Sequence, residues 1–117
     1  MERTLNTKFY TFNQNNSGGS FVTSDNEGLS EYVIIEATDA NHANERAERI
    51  GLYFNGCDDG RDCYCCGDRW YTVSENDGTD EPTIYGEPIA IVKKGMFRKE
   101  LFVHYIDGTF KKVELQD

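Results

Sequence analysis

The chain has 117 residues, 38% of them hydrophobic, with seven Phe, seven Tyr and one Trp. That is enough for one packed core and too little for two, so residues 1–117 are expected to form a single domain. Twelve Lys and Arg against 21 Asp and Glu give a net charge of −9, which excludes a protein that wraps duplex DNA by neutralising phosphates but leaves room for a small anion in a local pocket.

Lys8 to Phe12 mixes aromatic and β-branched residues as a strand does, and the polar run Asn13 to Gly19 then breaks the pattern. Order resumes at Ser20-Phe21-Val22, and Tyr32 to Ala37 reads as a central strand because its apolar run is barely interrupted. A helix is expected from Asn41 to about Ile50, with Thr38 or Asp39 as N-cap and Gly51 as its stop. Its small face, Ala40, Ala43, Ala47 and Ile50, would lie close on a sheet while Asn44, Glu45 and Glu48 face water. The apolar Leu52-Tyr53-Phe54 that follows suggests a βαβ-like step. Arg69 to Val73 reads as a short strand and Ser74 to Glu81 as an exposed acidic loop, and Ile89 to Val92 is the most strand-like part of the proline-containing stretch after it. Leu101 to Ile106 and Thr109 to Leu115 alternate about Asp107-Gly108, the signal of a two-residue hairpin. The fold class is therefore α+β: a small antiparallel or mixed sheet, one main helix at about residues 40–50 packed on it, and a C-terminal hairpin.

All four cysteines, Cys57, Cys63, Cys65 and Cys66, fall in one short segment, and Cys63-Tyr64-Cys65-Cys66-Gly67 contains C-x-x-C followed by glycine. That spacing is half of a zinc knuckle, in which two thiolates about one turn apart share a metal. Cys57 is one candidate for a further ligand, and Cys65, His42 or His104 another; a second C-x-x-C is missing. The competing readings are buried reduced thiols, a redox pair and a nucleophilic cysteine. No run approaches the roughly 20 apolar residues of a membrane span and the start lacks a secretory apolar region, so a cytoplasmic protein with no membrane partner is expected.

The densest uncharged hydrogen-bonding segment is Asn13, Gln14, Asn15, Asn16, Ser17, Gly18 and Gly19. Its amides can read the edge of a base or a ribose, and its glycines let main-chain N–H groups approach a phosphate. It is not a P-loop, because Gly-Lys-Ser/Thr is absent, and a plain surface loop is the alternative. His42, Arg46 and Arg49 form a basic stripe at i, i+4 and i+7 that could take a phosphate, unless Glu45 pairs with Arg49 and the stripe is simply solvated. Arg69, Trp70 and Tyr71 put a guanidinium and two rings together for pairing and stacking, although alternation would turn Trp70 toward the core. No G-x-S-x-G, H-E-x-x-H or deaminase-type zinc motif occurs, so no catalytic residue is assigned and a non-enzymatic protein is expected.

The segments FNQNNSGGSF, YVIIEA, HANERAERIGLYFNG, DCYCCGDRWY and IYGEP together resemble a family of small uncharacterised proteins of tailed bacteriophages, over roughly Phe9 to Pro88. The resemblance implies a phage accessory protein in the cytoplasm of an infected bacterium, acting by binding. By analogy with other small phage proteins, the expected function is sequestration of a host nucleotide-derived immune signal, of cyclic dinucleotide or cyclic ADP-ribose type, by a homo-oligomer. The alternatives are an inhibitor that docks a host enzyme through its acidic surface and a small zinc-containing hydrolase of such a signal.

Overall fold

The structure is a computed structural model describing residues 7–15, 23–58, 60, 67–84, 87–88 and 100–114. Strand β1 (Lys8–Asn13), strand β2 (Tyr32–Ala37), helix α1 (Ala40–Ile50), the short strands β3 (Thr83–Ile84) and β4 (Glu87–Pro88), strand β5 (Glu100–His104) and strand β6 (Phe110–Glu114) follow in chain order. A four-stranded sheet runs β1-β2-β5-β6, while β3 and β4 pair with each other. The pairs β1–β2 and β5–β6 are antiparallel and β2–β5 is parallel, so the sheet is mixed and its last two strands are the expected C-terminal hairpin.

Every residue of β2 is buried, which explains why its sequence does not alternate: it has a neighbour on each side and cover on both faces. Its odd-numbered residues Val33, Ile35 and Ala37 join Tyr10 and Phe12 of β1 under helix α1, together with Leu52 and Trp70. The helix contributes Ala40, Ala43 and Ala47, whose methyl groups let its axis approach the sheet. Of the two candidate caps Asp39 is used: its carboxylate accepts from His42 N–H at 2.8 Å. Gly51 ends the helix at φ 132°, a backbone setting that favours glycine, with its N–H on the Ala47 carbonyl. Glu45 and Glu48 face solvent as expected. Asn44 does not; its amide donates to the Val73 carbonyl at 3.1 Å and accepts from Val73 N–H at 2.9 Å, tying the segment after Trp70 to the helix.

On the opposite face Phe9, Tyr32, Ile34, Leu101 and Val103 form a second apolar cluster, with Tyr105 and Val113 at its margin. The 79–83 segment straps the free side of β1. Phe9 and Thr79 exchange both main-chain bonds, at 2.8 and 2.9 Å, and Thr11 Oγ1 donates to the Thr83 carbonyl at 2.6 Å.

Three local expectations are corrected by tertiary contacts. Leu52-Tyr53-Phe54 is not a strand, because Leu52 is drawn into the helix-covered core; the parallel partner of β2 is β5, which pairs Leu101 with Tyr32. Arg69 to Val73 joins no ladder, since Trp70 is a core residue and Val73 is held by the Asn44 side chain. The hairpin loop has three residues rather than two: Tyr105 N–H donates to Thr109 O at 2.7 Å and Gly108 N–H to Tyr105 O at 3.0 Å. Gly108 takes φ 91°, and the Asp107 carboxylate accepts from both the N–H and the hydroxyl of Thr109. Ser74 to Glu81 is exposed for most of its length, as expected, around a 3-10 turn at Glu75–Asp77 with a Ser74/Asp77 capping box. Ser20-Phe21-Val22 and Ile89 to Val92 lie outside the described residues.

Candidate functional site

The amide segment and the Arg69 stretch meet at the end of β1. Gln14 extends the ladder by one residue, its N–H donating to Glu31 O at 2.7 Å. Its side chain then turns inward and is only 3% exposed. There Nε2 donates to the Ser30 carbonyl at 3.0 Å, and Oε1 accepts from Arg69 Nη1 at 2.9 Å. Arg69, itself buried, also donates from Nε to the Tyr53 hydroxyl at 3.0 Å. One guanidinium therefore joins β1 to the chain leaving α1, and planar, always-charged arginine suits a site where two fixed acceptors lie in different directions. Asn15 completes the junction: its N–H donates to Arg69 O at 2.8 Å and its Nδ2 to Asp68 O at 3.1 Å. Gln14, Asn15, Asp68 and Arg69 thus form one wall, stiffened from beneath by Tyr53 and Ser30.

The rings beside Arg69 divide. Trp70 is 3% exposed and packs among the helix alanines, so it supports the wall from the core instead of offering a stacking face. Tyr71 is 55% exposed, an unusual setting for so large a ring. Its hydroxyl passes 3.0 Å from where a Cβ on Gly67 would stand, and Asn15 Nδ2 lies 3.6 Å from the same point, so Asn15 and Tyr71 border one patch. Asn13, the last residue of β1, is exposed. Asn16, Ser17, Gly18 and Gly19 lie outside the described residues.

The basic stripe of α1 is not part of this wall. Arg46 reaches the other end of β2, where Nη1 donates to the Glu36 carbonyl and Nη2 to the Tyr105 carbonyl at 2.9 Å. Five residue steps of extended chain lead from Glu31 to Glu36, about 16 Å at the rise of a strand. Burial lowers the Arg46 pKa from its ordinary value, with Glu36 and Asp107 opposing that shift and Arg49 adding to it. Beside it Glu36, 1% exposed, accepts from Thr7 Oγ1 at 2.5 Å and from Ile106 N–H at 3.0 Å. This cluster staples α1 to the parallel pair β2–β5. His42 caps its own helix entrance, with Nδ1 accepting from the Thr38 N–H at 3.1 Å, and Arg49 forms no ion pair with Glu45 among the described residues.

Of the cysteines, Cys57 is buried, and Cys63, Cys65 and Cys66 lie outside the described residues. The Asp68 carboxylate accepts from Cys57 N–H at 2.9 Å, which brings together the two ends of the segment that carries them. Among the described residues no group of three or more His, Cys, Asp and Glu is placed to hold a metal ion. His104 is remote from that role: its Nε2 lies 2.8 Å from the Gly28 carbonyl and its ring stacks on Phe110.

Residues that sequence reasoning passed over include Tyr53, Ser30, Gly28 and Glu36. Only Glu36 carried a signal, as a single carboxylate in the otherwise apolar run YVIIEA, where burial without partners would be prohibitively costly. Among the described residues no helix is long and apolar enough to cross a membrane. The chain matches no curated protein and no solved structure. A family described as a domain of unknown function, DUF7296, matches residues 7–117, nearly the whole chain, and the protein belongs to that family.

Proposed function

We propose that this protein is a non-enzymatic binding protein that sequesters a small nucleotide-derived signal, of the cyclic dinucleotide or cyclic ADP-ribose class, and that it does so as a phage accessory protein in the cytoplasm of an infected bacterium. The observation that supports the reading is the joining of Gln14 and Asn15 to Asp68 and Arg69 in one wall bordered by the exposed Tyr71 ring. Amide groups held in fixed orientations suit the hydrogen-bonding edge of a base, and an exposed ring beside them suits its face. Arg69 spends two of its donors on Gln14 and Tyr53, so its part is to position the wall and to lend positive potential from below, while Asn13, Asn15 and Tyr71 make the contacts. A pre-set wall loses little freedom on binding, which favours affinity without any turnover.

The test is a panel of cyclic dinucleotides and cyclic ADP-ribose isomers added to purified protein, read by thermal shift and by recovery of the ligand after denaturation. A sequestering protein is stabilised by mass action, by about 2.7 kcal/mol at a hundredfold excess over Kd, and returns its ligand intact. Degraded ligand would instead identify a hydrolase, and a zinc content near one per chain would assign the cysteine segment to that metal.

A second reading draws on a different observation. Asp39, Glu75, Asp77, Asp80 and Glu81 are all exposed, and Glu75 accepts from Ala40 N–H at 2.7 Å at the start of α1. Among the described residues, Lys8 offsets them through its 3.0 Å contact with Asp80. Such a surface would dock onto a basic patch of a host enzyme, and that binding would weaken steeply with salt and need no small molecule.

A further inference from the structure

Before β2 the chain makes a turn that lies against the sheet. Ser24 and Leu29 exchange both main-chain hydrogen bonds at 2.9 Å, closing Asp25 to Gly28 between them. The Gly28 carbonyl accepts from His104 Nε2 at 2.8 Å; a carbonyl can only accept, so Nε2 carries a proton and Nδ1 is the nitrogen at which a second proton would charge the ring. The imidazole also stacks on Phe110, with centroids 4.9 Å apart and planes at 28°. Gly28 has φ 72°, and a Cβ there would stand 2.6 to 2.8 Å from atoms of His104 and Phe110. Around this contact, Asp25 faces Lys112 of β6 at 3.4 Å, and Glu27 and Leu29 pack against Gly51 at the end of α1. From Leu29 the chain passes straight into Ser30 and Glu31, whose carbonyls accept the two bonds that fix Gln14.

A neutral ring suits this site and a charged one does not. His104 is 3% exposed, one of its faces is covered by carbon, and Arg46 of α1, held on the Tyr105 carbonyl next in the chain, adds positive charge. The other charged groups about the turn are Asp25, Glu27 and Lys112.

We propose that the Ser24–Leu29 turn is an acid-released clamp, held shut by uncharged His104 and opened by its protonation, and that opening loosens the Ser30 and Glu31 bonds that hold Gln14 in the wall. Burial is the main cause that lowers the His104 pKa below its ordinary 6.5; the Gly28 carbonyl opposes the shift and Arg46 adds to it. The closed turn is therefore fully favoured above about pH 6.5 and loses ground as the pH falls toward the lowered value. The clamp stands on the geometry of Gly28 and His104 and does not require the ligand reading to be correct.

Amide hydrogen exchange tests it, measured from about pH 7.5 to about pH 5 and corrected for intrinsic rates. In the unaltered protein, protection at Ser24, Leu29 and Gln14 should fall by up to about tenfold per pH unit within the window, always remaining below that of Ile34 in the central strand. His104→Gln keeps a donor toward Gly28 without titrating and should abolish the pH dependence, whereas Asp25→Asn should retain it. Gly28→Ala should lose protection at Ser24 and Leu29 already at neutral pH. A flat profile in the unaltered protein, an unchanged slope in His104→Gln, or Ser24 and Gln14 exchanging only as fast as Ile34 would each overturn the clamp, and a Gln14 amide indifferent to opening would overturn its link to the wall. Should His104→Gln not fold, the ring's own proton resonances decide: titration away from the pH at which protection is lost refutes the assignment.

Discussion

Replacing Arg69 with Met separates an arginine that builds the wall from one held ready for a ligand. Met preserves most of the apolar stem but removes the donors to Gln14 Oε1, buried beside it, and to the Tyr53 hydroxyl. A hydrogen bond to a charged partner contributes about 1.5–3 kcal/mol, and the buried Gln14 oxygen bears most of that loss because it has little access to water. Tyr53 is only half-buried and can turn toward solvent, so its share is smaller, about 0.5–1 kcal/mol. The sum, about 2–4 kcal/mol, is a large part of the 5–15 kcal/mol expected of such a domain. With a urea slope of about 2 kcal/mol/M, the unfolding midpoint of the ligand-free protein should drop by about 1–2 M at unchanged slope. Arg69→Lys should fall between the two, since one ammonium cannot span two acceptors set in different directions. A midpoint for Arg69→Met within about 0.2 M of the parent would refute the reasoning, because an arginine kept for a ligand can be removed from the empty protein at no cost.

Other expectations follow from single contacts. Asp39→Ala removes the carboxylate on His42 N–H and should destabilise the fold by about 1 kcal/mol in urea titration, with Asp39→Asn nearly silent. Ala47→Leu places a branched side chain where the helix touches the sheet with no exposed surface, and should cost about 1–3 kcal/mol, read as a lower Tm. Because the His104 pKa is lowered on folding, the unfolded chain binds more protons below about pH 6.5, so stability should decline as the pH falls, with a slope of at most about 1.4 kcal/mol per unit. Urea midpoints across that range should show the decline in the parent protein and lose His104's part of it in His104→Gln.

Much of the architecture was legible along the chain because it is written in local patterns. The unbroken run Tyr32 to Ala37 announces a strand buried on both sides, the Ala40, Ala43, Ala47 spacing a helix that lies close, and Asp39 and Gly51 its two ends. Trp70 is expected from its chemistry to stack on a ligand, with a core position as the alternative, and the packing takes the alternative. The failures have one cause. Leu52-Tyr53-Phe54 and Arg69 to Val73 carry strand-like composition, but whether an extended segment finds a ladder depends on which edges other segments leave open. β5 took the edge beside β2, and the Asn44 amide took the main chain of Val73.

The candidate site divides along the same line. Residue chemistry alone identified the amide run and the arginines as the chain's polar resources, because hydrogen-bonding capacity belongs to the side chain wherever it is placed. Tertiary structure decided how they are spent: Arg69 is committed to Gln14 and Tyr53, and Arg46 is carried to the far end of β2 to bind two carbonyls. His104 lies beneath a turn 76 positions earlier. A local pattern fixes the direction in which a side chain leaves its own element, whereas its partner is set by the packing of distant segments, so only the assembled sheet and helix determine which polar groups meet.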